Sequence, residues 1–304
     1  MRLWLLRAVW ITLPFSAGPS LAAGLASWTD APRLLGAVLC WTAWGLGLLA
    51  CVAPRPVGLT MLRAVAPAAV VASVAAAVSG HPSTLASAGG IVATLAAAVL
   101  AADPTVAEWT ANGTAYRDED RYPLRVPPGL FLGPLPLARI VAVGGFVTGP
   151  LLVADGQTLW GIVAVVVGFP VAVFGAGVLH RLSQRWLVLV PAGVVVVDRM
   201  ALIDNVLFTR DHVEILRGVA VDEPRDESLD LRMGATIGSV LISFDEPAEL
   251  TRVSYSQRGG QTVRAAAVLV AVAHRQAMLE AASRRRVRVE VRDPHRGTGP
   301  DPRW

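Results

Sequence analysis

Long apolar stretches separated by short polar breaks occupy the first part of the chain, and shorter, alternating runs follow them. A helix crossing a hydrocarbon layer of about 30 Å needs roughly 20 mostly apolar residues. Six stretches meet this requirement, near residues 3 to 25, 34 to 53, 60 to 79, 84 to 102, 135 to 154 and 158 to 179, which predicts an α-helical transmembrane bundle over residues 1–179. The second, fourth and sixth contain no ionisable side chain other than cysteine. The first carries Arg7, Pro14 and Pro19, and with Arg2 and Ser20-Leu21-Ala22 it also has the outline of a secretory signal. Arg7 interrupts that apolar run and the stretch continues past Ala22, both of which favour a retained span.

Beyond His180 the period shortens. Arg185 to Val190, the turn Pro191-Ala192-Gly193 and Val194 to Asp198 predict a β-hairpin, because β-branched runs flank a Pro and Gly turn. Ala201 to Phe208, His212 to Arg217, Ser228 to Met233 and Val240 to Phe244 read as further strands. Residues 262 to 282 read as one helix with Val263, Ala267, Val270 and Ala277 on its apolar face. The expectation is a small α+β domain over residues 180–282, a barrel whose open end or edge the terminal helix covers. A disordered Arg-rich tail over 283–304 completes the chain.

Charge sharpens this division. All 27 basic residues are Arg, and together with abundant Ala, Gly and Val this points to base composition before recognition. Positive residues near helix ends are retained in the cytoplasm. With the N-terminus inside, the inner segments collect Arg2, Arg7, Arg55, Arg63, Arg117, Arg121, Arg125, Arg139, Arg181 and Arg185, against Arg33 outside. The bias predicts a multipass protein of the cytoplasmic membrane with both the N-terminus and the C-terminal domain in the cytoplasm.

Ion-coupled carriers usually place an ionisable group deep in a span. No Asp, Glu or His lies at the centre of any stretch, and Arg7, Arg63 and Arg139 sit close enough to the inner ends to snorkel outward. Rows of small residues, Ala69-Ser73-Ala77, Gly90-Thr94-Ala98 and Gly145-Gly149, suit close helix packing within the bundle. Cys40 and Cys51 are eleven residues apart on one helix, about 16 Å along its axis, too far to bridge each other. The loop of residues 103 to 134 joins a charged centre, Tyr116 to Tyr122, to the helix-breaking segment Val126 to Pro134. It reads either as an interfacial elbow or as a juxtamembrane turn.

Candidate chemistry is sparse. His81, His180, His212, His274 and His295 have no partner at metal-ligand spacing, and no nucleophile elbow, phosphate loop or dinucleotide fingerprint is present. The sequence therefore predicts no catalytic, cofactor-binding or metal residues. The acidic group from Asp222 to Glu227 reads as a solvated loop, and Gly259-Gly260 as a turn leading into the terminal helix. Arg284, Arg285, Arg286 and Arg288 form a basic cluster suited to anionic lipid, with about 1 kcal/mol available per residue near the membrane surface. Nucleic acid is not expected, since the tail lacks interleaved aromatic residues.

The string Arg185-Trp186-Leu187-Val188-Leu189-Val190-Pro191-Ala192-Gly193-Val194-Val195-Val196-Val197-Asp198, with the later Phe208-Thr209-Arg210-Asp211-His212-Val213-Glu214-Ile215, resembles bacterial pleckstrin-homology-like (PH-like) domains that follow transmembrane helices. The resemblance covers roughly residues 183 to 282, and the layout of the whole chain is similar to multipass membrane proteins of actinobacteria. It implies a PH-like barrel and supplies no catalytic residues. The resulting expectation is a non-enzymatic membrane scaffold or assembly factor that shows the domain to a cytoplasmic protein partner. The alternative is a transporter, or a transporter subunit, for an apolar or lipid-like substrate, with Trp41, Thr42 and Trp44 lining its path.

Overall fold

The computed structural model describes residues 1–80, 82–131, 133–220, 228–254 and 259–290. Among them, six helical segments are long and apolar enough to cross a membrane: Arg2–Ala26, Asp30–Val52, Pro56–Ser79, Thr84–Ala102, Pro134–Ala154 and Thr158–Ser183. The first is broken into α1 (Arg2–Ser16) and α2 (Gly18–Ala26). The others are α3 (Asp30–Val52), α4 (Pro56–Ser79), α5 (Thr84–Ala102), α7 (Pro134–Ala154) and α8 (Thr158–Ser183), with a short α6 (Pro104–Asn112) following α5. The strands are β1 (Asp120–Pro123), β2 (Trp186–Val190), β3 (Gly193–Val197), β4 (Val206–Thr209), β5 (Val213–Gly218), β6 (Ser228–Asp230), β7 (Ser239–Arg252), β8 (Gln261–Ala271) and β9 (Val289–Glu290), and α9 is Arg275–Arg284. The chain divides into two units, Met1–Tyr116 with Pro128–Gln184, and Arg117–Pro127 with Arg185–Trp304.

In the helical unit, Leu6, Trp10 and Leu13 of the first span are buried, and Leu6 and Trp10 share a core with Cys51, Leu59, Leu62, Ala66, Ala97 and Ala101. Pro14 has no N–H, so the carbonyl of Trp10 loses its helical donor. Trp44 supplies the replacement: its indole N–H donates to Trp10 O at 2.9 Å, while the Trp10 indole N–H donates to Trp44 O at 2.9 Å. Gly47 makes room for this exchange, since a Cβ there would fall 1.8 Å from Cζ2 of Trp10. The Gly145 and Gly149 row lets α7 meet α8 at backbone distance, and a Cβ on Gly145 would lie 2.5 Å from the carbonyl of Gly168. Both cysteines are free thiols.

The sheet-rich unit contains two sheets and does not close into the barrel expected from sequence. One has the order β1-β2-β3-β4 and the other β6-β8-β7-β5-β9. The hairpin of β2 and β3 forms as expected, with Val190 paired to Gly193 across a two-residue turn. Gly193 is required there, because a Cβ would sit 2.0 Å from the carbonyl of Phe208 on the neighbouring β4. Inward residues of both sheets meet in one core, including Leu187, Leu189, Val194, Val196 and Phe208 from the first and Val213, Leu216, Ile242, Val268 and Val270 from the second. Phe208 stacks on Phe244 at 4.3 Å between ring centres, and Met278, Leu279 and Ala282 of α9 complete the interior.

Four expectations are corrected. The loop between the fourth and fifth spans is neither an elbow nor a plain turn throughout, because Asp120–Pro123 pairs antiparallel with β2. The single helix expected over 262 to 282 is the strand β8 followed by α9. Its Ala and Val run satisfies a helical period by accident: β8 lies between β6 and β7 and is buried along most of its length, and such strands read as unbroken apolar runs. The run from Ala201 contributes only Val206–Thr209 as strand. Gly259 and Gly260, at φ +95° and +83°, precede β8 and not a helix.

The inserted segment also staples the two sheets. Beyond its pairing with β2, Leu124 bridges to Val272, the backbone N–H of Arg125 donates to Ala271 O at 2.7 Å, and that of Ala273 donates to Pro123 O at 3.0 Å. A second junction is made by Leu202 and Arg252, supported by the N–H of Ile203 donating to Thr251 O and that of Val253 donating to Ala201 O.

Candidate functional site

Charge in the helical unit gathers at one end. Arg7 at the start of α1 donates to Cys51 O at the end of α3, and its guanidinium lies over the rings of Trp4 and Trp109. Arg63, near the start of α4, donates to Ala101 O and Ala102 O at the end of α5. Arg2 pairs with Asp103, and the Thr60 hydroxyl meets Nδ1 of His180, on α8, at 3.1 Å. The Thr60 hydroxyl also lies within hydrogen-bond reach of Pro56 O, one turn back on the same helix. The contacts of Arg7 with Cys51, Arg63 with Ala101 and Ala102, and Thr60 with His180 each join the start of one span to the end of another, as an up-and-down bundle requires.

Asp103 organises part of this end. Its carboxylate caps α6 by accepting from the backbone N–H and hydroxyl of Thr105. Burial pushes the carboxyl up, but the hydrogen bonds from Thr105 and Arg2 outweigh it and hold the group below the usual carboxylate range. A depressed folded value means stability that is present above the unfolded pKa and lost as pH falls through the folded one. Asp103→Ala is therefore expected to cost about 1 kcal/mol at neutral pH. Thermal unfolding of wild type and variant should differ in full above about pH 5 and converge in stronger acid.

Arg63 and Arg139 are the residues whose placement the sequence did not reveal. Arg63 shares a helix face with the buried Leu59 and Ala66, and Arg139 with the buried Leu135 and Ala142. The spacing of these neighbours, at four and three residues, was the available signal. By contrast, Trp41 and Thr42 are exposed, and Trp44, which meets the edge of Trp41 at 5.5 Å between ring centres, donates to Trp10 O.

In the sheet-rich unit several arginines bind the chain to itself. The Arg185–Asp198 pair, 2.7 Å apart, is buried with 2% and 0% of its side chains exposed. Arg185 also donates to Arg125 O in the inserted segment and to Leu231 O, while Asp198 accepts from the N–H of Met200. Arg232 clasps Asp230 through Nε and Nη2 and donates to the hydroxyl of Ser239, so the carboxylate holds its charge in place and raises its already high pKa.

The four arginines assigned to lipid contact part company. Arg285 is turned inward, donating to Asp118 O, to Leu189 O at 3.2 Å and to the Asp120 carboxylate at 2.8 Å. Arg284, Arg286 and Arg288 are exposed. Arg286, at φ +61°, holds the left-handed position that ends α9, where glycine is usual. The segment beyond α9 is not wholly a free tail, since Val289 and Glu290 pair with Leu216 and Arg217. Arg292, Arg296, Arg303 and the acidic group Asp222 to Glu227 lie outside the described residues, as do His81 and His295.

Among the described residues no three His, Cys, Asp or Glu side chains gather as a metal site would require. Comparison of the chain with family models, with curated proteins and with solved structures gives no match.

Proposed function

We propose that this multipass membrane protein is a scaffold or adaptor of the cytoplasmic membrane, whose helical unit holds a PH-like domain out to a cytoplasmic protein partner. The observation that carries this reading is the origin of the sheet-rich unit in two stretches of chain. Because β1 comes from between the fourth and fifth spans, the chain passes between the two units three times. A domain assembled from two separate stretches of the chain is an integral part of the membrane protein, as a platform for assembly needs to be. The meander β1–β4, the second sheet and the terminal helix support the PH-like reading. The arginine bias toward the charged end supports a cytoplasmic orientation. Arg284, Arg286 and Arg288 are the exposed cations left to touch anionic lipid.

Chemical crosslinking in intact cells, followed by purification of the full chain, tests this reading. A defined partner should be recovered with wild type and lost with Asp198→Ala, which disrupts only the sheet-rich unit. An identical set of crosslinked proteins from both would overturn it. The second reading is transport of an apolar or lipid-like substrate. It is favoured by the break in the first span at Ala17 and by the buried hydroxyls of Ser20 and Ser73, which have no hydrogen-bond partner among the described residues. Flux of a lipid-like probe across proteoliposomes, reduced by Ser73→Val, would support this second reading instead.

A further inference from the structure

We infer that Arg63 and Arg139 form a seat for the phosphate of an anionic phospholipid at the charged end of the helical unit, separate from Arg284, Arg286 and Arg288. A snorkelling arginine points along the lipid-facing side of its helix. These two instead lie on the buried faces of α4 and α7, which pack against each other. They are near enough for the charge of Arg139 to bear on Arg63. Two cations close together in a partly desolvated place repel, and such an arrangement is favoured by compensating negative charge.

Among the described residues one carboxylate bears on Arg63, and it is already committed. Asp103 bears on Arg63, but its carboxylate is taken by Arg2 and Thr105. Arg63 turns two of its donors to Ala101 O and Ala102 O, which hold the guanidinium in place without neutralising it. Nε of Arg139 is buried and has no partner among the described residues. A buried guanidinium donor left open beside a second guanidinium calls for an acceptor that also carries negative charge. A phosphate diester offers both, since its oxygens accept charge-assisted bonds from arginine. The source favoured by the location is a lipid headgroup, because both residues belong to spans and lie within the first turns from the bundle end where headgroups reside.

The test is thermal unfolding of the full chain purified in a nonionic detergent, with phosphatidylglycerol, phosphatidylcholine or inorganic phosphate added. Phosphatidylglycerol should raise the midpoint by about 5 °C more than phosphatidylcholine does. Arg63→Gln and Arg139→Gln should abolish that difference. Arg139→Lys should keep part of it, and Arg55→Gln, which alters an exposed residue at the same end, should keep all of it. The combined Arg284→Gln, Arg286→Gln and Arg288→Gln variant should also keep it, and loss there would move the effect to those three arginines and overturn the site. Inorganic phosphate matching the lipid, with the same dependence on Arg63 and Arg139, would keep the site and make free phosphate its ligand. Equal stabilisation of wild type by all three additions would overturn the proposal, and this comparison needs no variant to fold.

Discussion

Asp198→Ala is expected to unfold the sheet-rich unit while the helical unit remains inserted in the membrane. The substitution leaves the Arg185 guanidinium, 2% exposed, without its counter-ion in the interior. Removing one member of a buried pair costs about 3 to 5 kcal/mol, a large fraction of the stability of a domain this size. The loss propagates because Arg185 binds three stretches of chain at once, through Asp198, the carbonyl of Arg125 and that of Leu231. Limited proteolysis of the full chain in membranes should then cut within residues 185 to 290 while sparing the spans. Arg185→Met combined with Asp198→Leu removes both charges and is expected to cost less than Asp198→Ala alone. Equal resistance of Asp198→Ala and wild type to protease would show that the pair does not hold the unit.

The second large effect belongs to Gly47. In Gly47→Val the new Cβ would start 1.8 Å from the Trp10 ring, so Trp10 must leave its place. The Trp10 indole N–H then loses its acceptor, the carbonyl of Trp44, in an apolar interior. Overpacking together with this broken interhelical hydrogen bond amounts to about 3 kcal/mol. The expected result is a markedly lower unfolding midpoint in detergent, with tryptophan emission shifted to the red. The cause can be isolated through Pro14: Pro14→Ala restores a helical N–H, so Trp44→Phe should cost less in that background than in wild type.

What the sequence revealed and what it hid follow from how local each signal is. Six spans were legible because about 20 apolar residues in a row leave few alternatives to crossing a membrane. The β2–β3 hairpin was legible because its strands and turn are contiguous. Strand β1 was hidden, since Asp120–Pro123 has the composition of a charged loop and becomes a strand only by pairing with residues more than sixty positions later. The partner of Arg285 was hidden for the same reason, Asp120 lying 165 residues away. In β8, alanine suited the helical reading, and only the neighbours β6 and β7 decide otherwise. The Trp10–Trp44 exchange was partly legible, because a proline four residues after Trp10 announces an orphaned carbonyl, although it cannot say which donor fills it.

The pairing of β1 with β2 carries a topological consequence independent of hydropathy. Residues 120–123 precede the fifth span and residues 186–190 follow the sixth, so their hydrogen bonding places both on one side of the membrane and requires an even number of crossings between them. Cysteines at Arg121 and Val188, which face each other in the ladder, test this directly in a background where Cys40 and Cys51 are replaced by alanine. Oxidation in intact membranes should join them within one chain, within the separation of about 4.4 to 6.8 Å between Cα atoms that a disulfide spans. Failure to crosslink, with the two cysteines labelled by an impermeant thiol reagent from opposite faces of the membrane, would contradict both the two-segment domain and the six-span arrangement on which it rests.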